Sequence, residues 1–264
     1  MSNNSKDKIN QPLIDTQSPG ASKLPGTPDT AGQGALSQNN EVAGFIAQMQ
    51  AMAPPVRQGH GHGRLIFAMD ATMSRQPTWD MALALQGDMF EAVARIGGLD
   101  VQLVYFRGFK ECRSSKWVSN PASLAKMMTT VQCAGGLTQI GKVLSHTRQE
   151  SEARRVNALV YVGDAMEENI DHLCQKAGEL ALLGVPVFLF QEGHNRAAEA
   201  AFREIARLTK GAFCRFDAGS ATQLRALLSA VAVFAAGGRQ ALEDFGRSSQ
   251  GRGAQLLIEQ MKQG

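Results

Sequence analysis

The sequence has few of the features that mark membrane, secreted or aromatic-rich proteins. Its 264 residues include 2 tryptophans and 2 tyrosines, and aromatic residues make up 6% of the chain. We expect no apolar run to be long enough to cross a bilayer. The N-terminus has no apolar stretch behind its charges, such as a secretory signal would carry. These absences favour a cytoplasmic protein without membrane insertion.

Cysteine and basic residues are too scattered to indicate a zinc cluster or a nucleic-acid interface. The four cysteines form no C-x-x-C pair, which favours buried thiols. They are Cys112, Cys133, Cys174 and Cys214. The net charge of +3 comes from 27 Lys and Arg against 24 Asp and Glu, without a dense basic block, so we expect no nucleic-acid partner. Lys110, Arg113 and Lys116 are interpreted as charges that keep an edge strand from pairing.

Composition divides the chain into an N-terminal arm, one domain and a C-terminal tail. Residues 1–62 are rich in Ser, Asn, Gln, Gly and Pro, and such a stretch cannot bury enough apolar surface to offset its chain entropy. We therefore predict a disordered arm at 1–62 and a single domain at 63–236. The tail at 237–264 could add a short helix in QLLIEQMK.

One part of the arm has a helical apolar pattern. Val42, Phe45, Ile46 and Met49 would lie on one face of a short helix over 41–52. That face could cover the chain's own domain or bind another protein, and the sequence leaves both options open.

From Arg64 onwards, strands alternate with helices, which is typical of a mostly parallel sheet covered on both faces. RLIFAMD, VNALVYVGD and VPVFLFQEG are largely apolar runs, as expected for strands buried on both sides. ECRSSKWVS follows LDVQLVYFRG after too short a link for a crossover helix, which predicts an antiparallel hairpin. GAFCRFD is predicted as a further strand. The prediction is therefore a doubly wound, Rossmann-like α/β sheet of about six strands, mostly parallel with one antiparallel edge strand.

The stretch AGGLTQIGKVL is close to a phosphate-binding loop, since four residues separate Gly136 from Gly141 and Lys142. Such a loop needs a buried strand directly before it and a Ser or Thr after the lysine. A helical pattern precedes the glycines instead, and Val143 occupies the hydroxyl position. A metal-dependent phosphohydrolase or nucleotide-binding protein using the Gly136 to Lys142 loop is kept as the alternative function.

Oxygen-bearing side chains follow two of the predicted strands. Asp70, Thr72 and Ser74 alternate just after the first strand, and Asp164 ends VNALVYVGD. Ligands collect outside the carboxyl ends of strands where the strand order reverses, so these side chains are expected to meet there. Thr138 follows two glycines that allow close backbone approach, and it would add another hydroxyl. Oxygen donors of low total charge suit Mg²⁺.

This arrangement resembles the metal-ion-dependent adhesion site (MIDAS) of von Willebrand factor type A (VWA) domains. The resemblance covers about residues 63–236. It rests on the pattern Asp70-x-Thr72-x-Ser74, on Thr138 after Gly135 and Gly136, and on Asp164 after Gly163. It implies that these five oxygen-bearing residues bind Mg²⁺, with Mn²⁺ or Ca²⁺ as alternatives, directly or through water. It further implies a protein partner that offers an Asp or Glu to the metal, and an ATPase complex, as for some intracellular members of the family, is one such partner that the sequence leaves open.

Other interpretations of the same residues are weaker. A strand ending in Asp also suggests a haloacid-dehalogenase-type phosphotransferase, but Thr72 stands where the general acid is needed. No catalytic triad is recognisable, and we expect no enzyme. Three acids follow the strand that ends at Asp164, and they are interpreted as a solvated helix start. They are Glu167, Glu168 and Asp171. A domain that binds no metal and acts as a scaffold is a third option.

Overall fold

Strands and helices alternate along residues 42–49, 62–94, 96–217 and 220–247, which are the residues that this computed structural model describes. The strands are β1 (Gly63–Asp70), β2 (Leu99–Arg107), β3 (Glu111–Ser114), β4 (Ala158–Gly163), β5 (Val187–Glu192) and β6 (Ala212–Phe216). The helices are α1 (42–49), α2 (Gln76–Val93), α3 (Pro121–Met128), α4 (Ile140–Ala153), α5 (Ile170–Leu182), α6 (Arg196–Leu208) and α7 (Ala221–Arg247). A 3₁₀ turn, Met73–Arg75, precedes α2.

The six strands form one mixed sheet in the order β3-β2-β1-β4-β5-β6. Every neighbouring pair is parallel except β2 and β3. Only three residues separate Arg107 from Glu111, so the chain can return only as a hairpin, which makes β3 an antiparallel edge strand. The predicted doubly wound sheet with one antiparallel edge strand is confirmed.

Helices cover both faces of the sheet, and the side chains of β1 alternate between the two apolar layers. Leu65 and Phe67 pack in the layer formed with α1, α2, α3 and α7. Ile66 and Ala68 pack in the layer formed with α4, α5 and α6. Because helices cover both faces of the sheet, β1, β4 and β5 are buried at every position. This explains why their sequences are largely apolar runs.

The segment 42–49, predicted as a helix within the arm, is a helix whose apolar face lies in the core. Phe45 is 2% exposed, and its ring meets those of Phe188 and Phe190 edge to face, at centroid distances of 6.1 and 5.3 Å. Of the two options left open by the sequence, the helix covers its own domain. The core therefore begins before the predicted domain start at 63. Residues 1–41 and 50–61 of the predicted arm lie outside the described residues.

The last helix extends beyond the predicted stop. The sequence predicted that the domain ends at 236, but α7 continues to Arg247 after a kink at Gly238, whose φ of 71° and ψ of −165° are not helical. Helix resumes because Leu242 is buried in the core. The packed domain thus passes the predicted limit at 236. The helix predicted in QLLIEQMK lies outside the described residues.

Helix α7 also corrects the expectation that no segment is long and apolar enough to cross a bilayer. Among the described residues, α7 is the one helix that is long and apolar enough to cross a bilayer, judged by length and composition alone. Its most apolar window has a mean hydropathy of 1.3. In this fold 72% of that window is buried inside the protein. The apolarity of α7 is therefore accounted for by its packing against the sheet.

Candidate metal site

The candidate site lies at the carboxyl edge of the sheet, where the strand order reverses. β1 pairs with β2 on one side and with β4 on the other, and Met69 is in register with Val162. Asp70 ends β1, and Asp164 comes directly after β4. The two acids therefore project from adjacent strand ends, as the sequence predicted, and a crevice at such a switch point is where ligands bind in open α/β sheets.

The residues after β1 form a compact group of oxygen atoms. The Asp70 carboxylate accepts a hydrogen bond from the Thr72 backbone N–H at 2.7 Å, the local turn that Asp favours after a strand. The hydroxyl oxygens of Thr72 and Ser74 lie 3.3 Å apart. Ser74 is exposed on the 3₁₀ turn, whereas Asp70 is 2% exposed. The structure thus links three predicted ligands through Thr72, which contacts both Asp70 and Ser74.

Asp70 is a buried carboxylate with little compensation for its charge. Burial raises its pKa to about 6, and the nearby Asp164 acts in the same direction. The hydrogen bonds from Thr72 and the charge of Arg75 act in the opposite direction. In the part of the chain that the structure describes, Asp70 makes no ion pair. A buried carboxylate in this position would be stabilised by a cation.

The loop between α3 and α4 crosses the same edge and carries Thr138. Its backbone joins the end of β1 through Ala134 N–H to Ala71 O at 3.0 Å, and the turn after β2 through Leu137 N–H to Gly108 O at 3.1 Å. A Cβ atom on Gly136 would lie 2.2 Å from Gly108 O. The close approach predicted for the glycines is therefore confirmed at Gly136, where no side chain fits.

Thr138 is held in place by Glu167, a residue whose role the sequence analysis missed. The buried Thr138 donates to one Glu167 carboxylate oxygen from its backbone N–H at 2.9 Å and from its hydroxyl at 2.8 Å. The Glu167 N–H donates back to the hydroxyl oxygen at 3.2 Å. Because the hydroxyl proton is committed to Glu167, a lone pair of Thr138 remains for another ligand. A pair of acids just past a strand-end Asp was the available signal.

Glu168 is likewise more than part of a solvated helix start. It accepts hydrogen bonds from the backbone N–H groups of Ile140 and Gly141, the latter at 3.0 Å, at the beginning of α4. The preceding residue, Gln139, makes no side-chain capping bond. Glu168 therefore accepts hydrogen bonds from N–H groups that have no partner within the helix. Burial raises the pKa of Glu168, while these N–H groups lower it. This contact joins the loop after β4 to α4.

Asp164 is held by Arg75, a second residue that the sequence analysis missed. The buried Arg75 guanidinium contacts one Asp164 carboxylate oxygen at 3.3 Å. It also forms a close ion pair with Glu192, the last residue of β5, which accepts a hydrogen bond from the Thr78 hydroxyl as well. The position of Arg75 directly after Ser74 was the only sequence signal for this contact. One Asp164 carboxylate oxygen lies outside the Arg75 contact.

The donor set fits a hard divalent cation. Within the described residues, no group of three or more His, Cys, Asp or Glu side chains is arranged to bind a metal. The candidate set is of another kind, because it combines two carboxylates with three hydroxyls on three loops at one edge. Oxygen donors carrying little charge suit Mg²⁺, which retains several waters when bound to protein. The role of these five residues in metal binding stays a prediction.

The phosphate-loop alternative has little support in this geometry. The Lys142 amine donates to Lys110 O and to the Gln139 side-chain oxygen, both at 2.7 Å, so it is bonded towards the β2–β3 hairpin. Helix α3, rather than a strand, is the element before the glycines. A phosphate-binding loop requires both a preceding strand and a lysine directed at the ligand.

Solved structures of distant sequence share this fold. The SpRpn10 VWA domain superposes with a TM-score of 0.51 at 10% identity, over 63% of this chain and 94% of that chain. The chain has a VWA-like fold. Proximal thread matrix protein 1 from the mussel byssus, solved with a zinc-occupied MIDAS motif, gives a TM-score of 0.50 at 17% identity, over 65% of this chain and 46% of that chain.

The VWA-like fold is also similar to a pilus component. The D319A mutant of the PilB minor pilin from Streptococcus sanguinis gives a TM-score of 0.52 at 10% identity, over 74% of this chain and 65% of that chain. No protein-family model and no curated protein matches the sequence. At these identities the similarity shows the fold alone.

Proposed function

We propose that this chain is a metal-dependent protein–protein interaction module. It binds Mg²⁺ and captures an acidic side chain of a partner protein, without catalysing a reaction. The ligands are Asp70, Thr72, Ser74, Thr138 and Asp164. The observation that carries the proposal is the buried Asp70, which makes no ion pair within the described residues and lies beside two hydroxyls at the switch point of the sheet.

Each part of the site has a separate task. Asp70 and Asp164 supply the negative charge that retains the cation, and the hydroxyls of Ser74 and Thr72 provide neutral oxygen donors. Glu167 orients the Thr138 hydroxyl. When bound, the cation would offer a coordination position that the five protein donors leave open, and a carboxylate of the partner could fill it. The exposure of Ser74 keeps this side open to a partner.

The identity of the metal is proposed from the donor chemistry. Oxygen donors favour Mg²⁺, and Mn²⁺ or Ca²⁺ are the alternatives. The zinc-occupied MIDAS motif of the mussel protein supports a divalent ion at this place in the fold. We propose a cytoplasmic setting and a partner such as an ATPase complex that offers an Asp or Glu.

Thermal melting with and without Mg²⁺ tests metal binding. A ligand that prefers the folded state stabilises it by about 2.7 kcal/mol at a hundredfold excess over its Kd. The melting temperature of the wild type should rise with Mg²⁺, and that of Asp70→Ala should not. Asp244→Asn, at an exposed position of α7, controls for the loss of a carboxylate elsewhere. A wild type that is indifferent to Mg²⁺, Mn²⁺ and Ca²⁺ would instead support the scaffold without metal.

Affinity capture from the native lysate tests partner binding. Wild type and Asp70→Ala are each used with Mg²⁺ or with a chelator. Partners should be recovered by the wild type in Mg²⁺ and lost in the other three conditions. Recovery of the same partners in all four conditions would show that capture does not depend on the metal.

A further inference from the structure

Large apolar side chains are exposed around the candidate site. Of the five such side chains exposed among the described residues, three lie on loops at the carboxyl edge of the sheet. Met73 is 68% exposed, Phe109 80% and Leu137 49%. Met73 lies between two proposed ligands in the sequence, and Leu137 precedes Thr138. We call Met73, Phe109 and Leu137 the apolar rim.

The apolar rim belongs to a connected set of loops. Leu137 donates its backbone N–H to the carbonyl of Gly108, the residue before Phe109, at 3.1 Å. The same loop is bonded to Ala71, two residues before Met73, through Ala134. Single exposed apolar residues are normal, but a group of them beside a site is typical of an interaction surface.

The hairpin next to the rim is basic. Residues 107–116 contain four basic residues and one acid, Glu111, which pairs with Arg107 and Arg113. Lys110 follows Phe109 directly and is exposed. Basic side chains also line a cavity of about 430 Å³ between the hairpin, α4 and α5. These are Arg113, Lys142 and Lys176, and the single acid in the lining is Glu168.

We propose that the apolar rim and the basic hairpin select the residues on either side of the captured carboxylate. The partner is a protein segment in which an Asp or Glu, bound at the metal, is flanked by large apolar residues and by further acids. The apolar residues would cover Phe109 and Leu137, and the acids would face Lys110 and Arg113. This inference rests on the proposed function, because the metal positions the segment. Apolar contact and complementary charge together provide specificity.

A random twelve-residue peptide library displayed on phage provides the probe. The full chain is panned in Mg²⁺, and enriched peptides are measured against variants. Enriched sequences should contain Asp or Glu beside Leu, Ile, Val, Phe or Met. The double variant Phe109→Ser with Leu137→Ser should bind them about tenfold more weakly or worse, as expected for lost apolar anchors. Both positions are exposed, so melting should match the wild type.

The chain offers a matched control for the rim substitutions. Leu182 is 90% exposed and ends α5, so it lies one helix length from the loop that carries Asp164. Leu182→Ser should leave peptide binding unchanged. Lys110→Glu combined with Arg113→Glu should weaken binding, and the difference should shrink at high salt because exposed charges are screened.

Several outcomes would overturn the inference, and they separate it from the proposed function. Enriched peptides that need Mg²⁺ and Asp70 but bind the rim variant normally would refute the rim and leave the metal-dependent module intact. Peptides retained with chelator and by Asp70→Ala would refute both. Failure to enrich any peptide also counts against the rim. A wild-type dimer that the rim substitutions dissociate, seen by sedimentation velocity, would assign the rim to a second copy of this chain.

Discussion

Arg75 shows how one side chain can join three strand ends. It comes shortly after β1, contacts Asp164 after β4 and pairs with Glu192 at the end of β5. Both Arg75 and Glu192 are buried, so each charge depends on the other for compensation. Arg75 therefore sets the position of one proposed metal ligand without being a ligand itself.

Replacing Arg75 alone should be strongly destabilising. Arg75→Met leaves Glu192 buried without its ion partner, and removing one member of a buried pair costs about 3–5 kcal/mol. The double variant Arg75→Met with Glu192→Gln removes the stranded charge and should be less destabilised than the single variant. Urea denaturation measures both. A single variant within about 1 kcal/mol of the wild type would show that the pair contributes little, as exposed ion pairs do.

Glu167 should affect metal affinity more than stability. Its carboxylate orients Thr138, and loss of such supporting contacts typically weakens metal binding about 10- to 100-fold. Glu167→Gln should therefore reduce Mg²⁺ affinity in calorimetric titration while the metal-free protein melts as before. Asp171→Asn removes a nearby exposed acid outside the Thr138 contact and should bind Mg²⁺ normally. Equal weakening in both variants would indicate long-range charge rather than positioning of Thr138.

At the scale of elements, α1 completes the layer on one face of the sheet. Its apolar side chains pack with β5 and α7 residues in one core cluster. The Gln48 side chain donates to Gly211 O at 3.4 Å. Because an eight-residue helix is too short to be stable alone in water, its helical state depends on this docking.

Truncating Phe45 should loosen α1 and destabilise the face that it covers. Phe45→Ala removes two edge-to-face ring contacts, and Phe to Ala changes in a core cost about 3–5 kcal/mol. Urea denaturation measures the loss, and hydrogen exchange should show faster exchange in β5. Ala47→Ser changes an exposed position of the same helix and should leave both measurements unaltered. No loss of stability in Phe45→Ala would mean that α1 docks without contributing to folding.

For the whole molecule, a half-buried histidine on α4 should make folding sensitive to mild acid. His146 shares a hydrogen bond of 2.9 Å with the Gln102 side-chain oxygen, and burial lowers its pKa, partly opposed by Glu150. The unfolded chain, with a histidine pKa of about 6.5, then takes up a proton more readily than the native state. The contribution of neutral His146 to the free energy of unfolding is therefore complete at pH values above the unfolded-state pKa. It decreases as the pH falls through that pKa towards the lower folded-state pKa.

Melting as a function of pH measures this contribution. Between about pH 7.5 and about pH 5.5, on either side of the ordinary histidine pKa, the wild type should lose more stability than His146→Gln. Groups away from His146 titrate equally in both proteins, so the difference reports His146 together with its neighbour Glu150. His172→Gln, at an exposed position, should follow the wild type. Identical pH profiles for all three proteins would show that burial of His146 has no consequence for folding.

Local sequence patterns predicted the elements well because they depend on neighbouring residues. Apolar runs located the strands, and the short link after β2 led to the antiparallel edge. The domain was predicted to end at 236, and the resumption of α7 after the kink at Gly238 was not predicted. That resumption depends on burial of Leu242 against a core built from distant elements, and no local pattern carries this information.

The sequence by itself determined the order of strands and helices, and it placed Asp70, Thr72 and Ser74 together because they are neighbours in one turn. The tertiary structure decided which charged and polar side chains form pairs. Arg75 with Asp164 and Glu192, and Thr138 with Glu167, are pairs separated by 29 to 117 positions in the chain. Such contacts arise only when parallel strands bring their ends to one edge, because the energy of a charge depends on distance and burial rather than on sequence spacing.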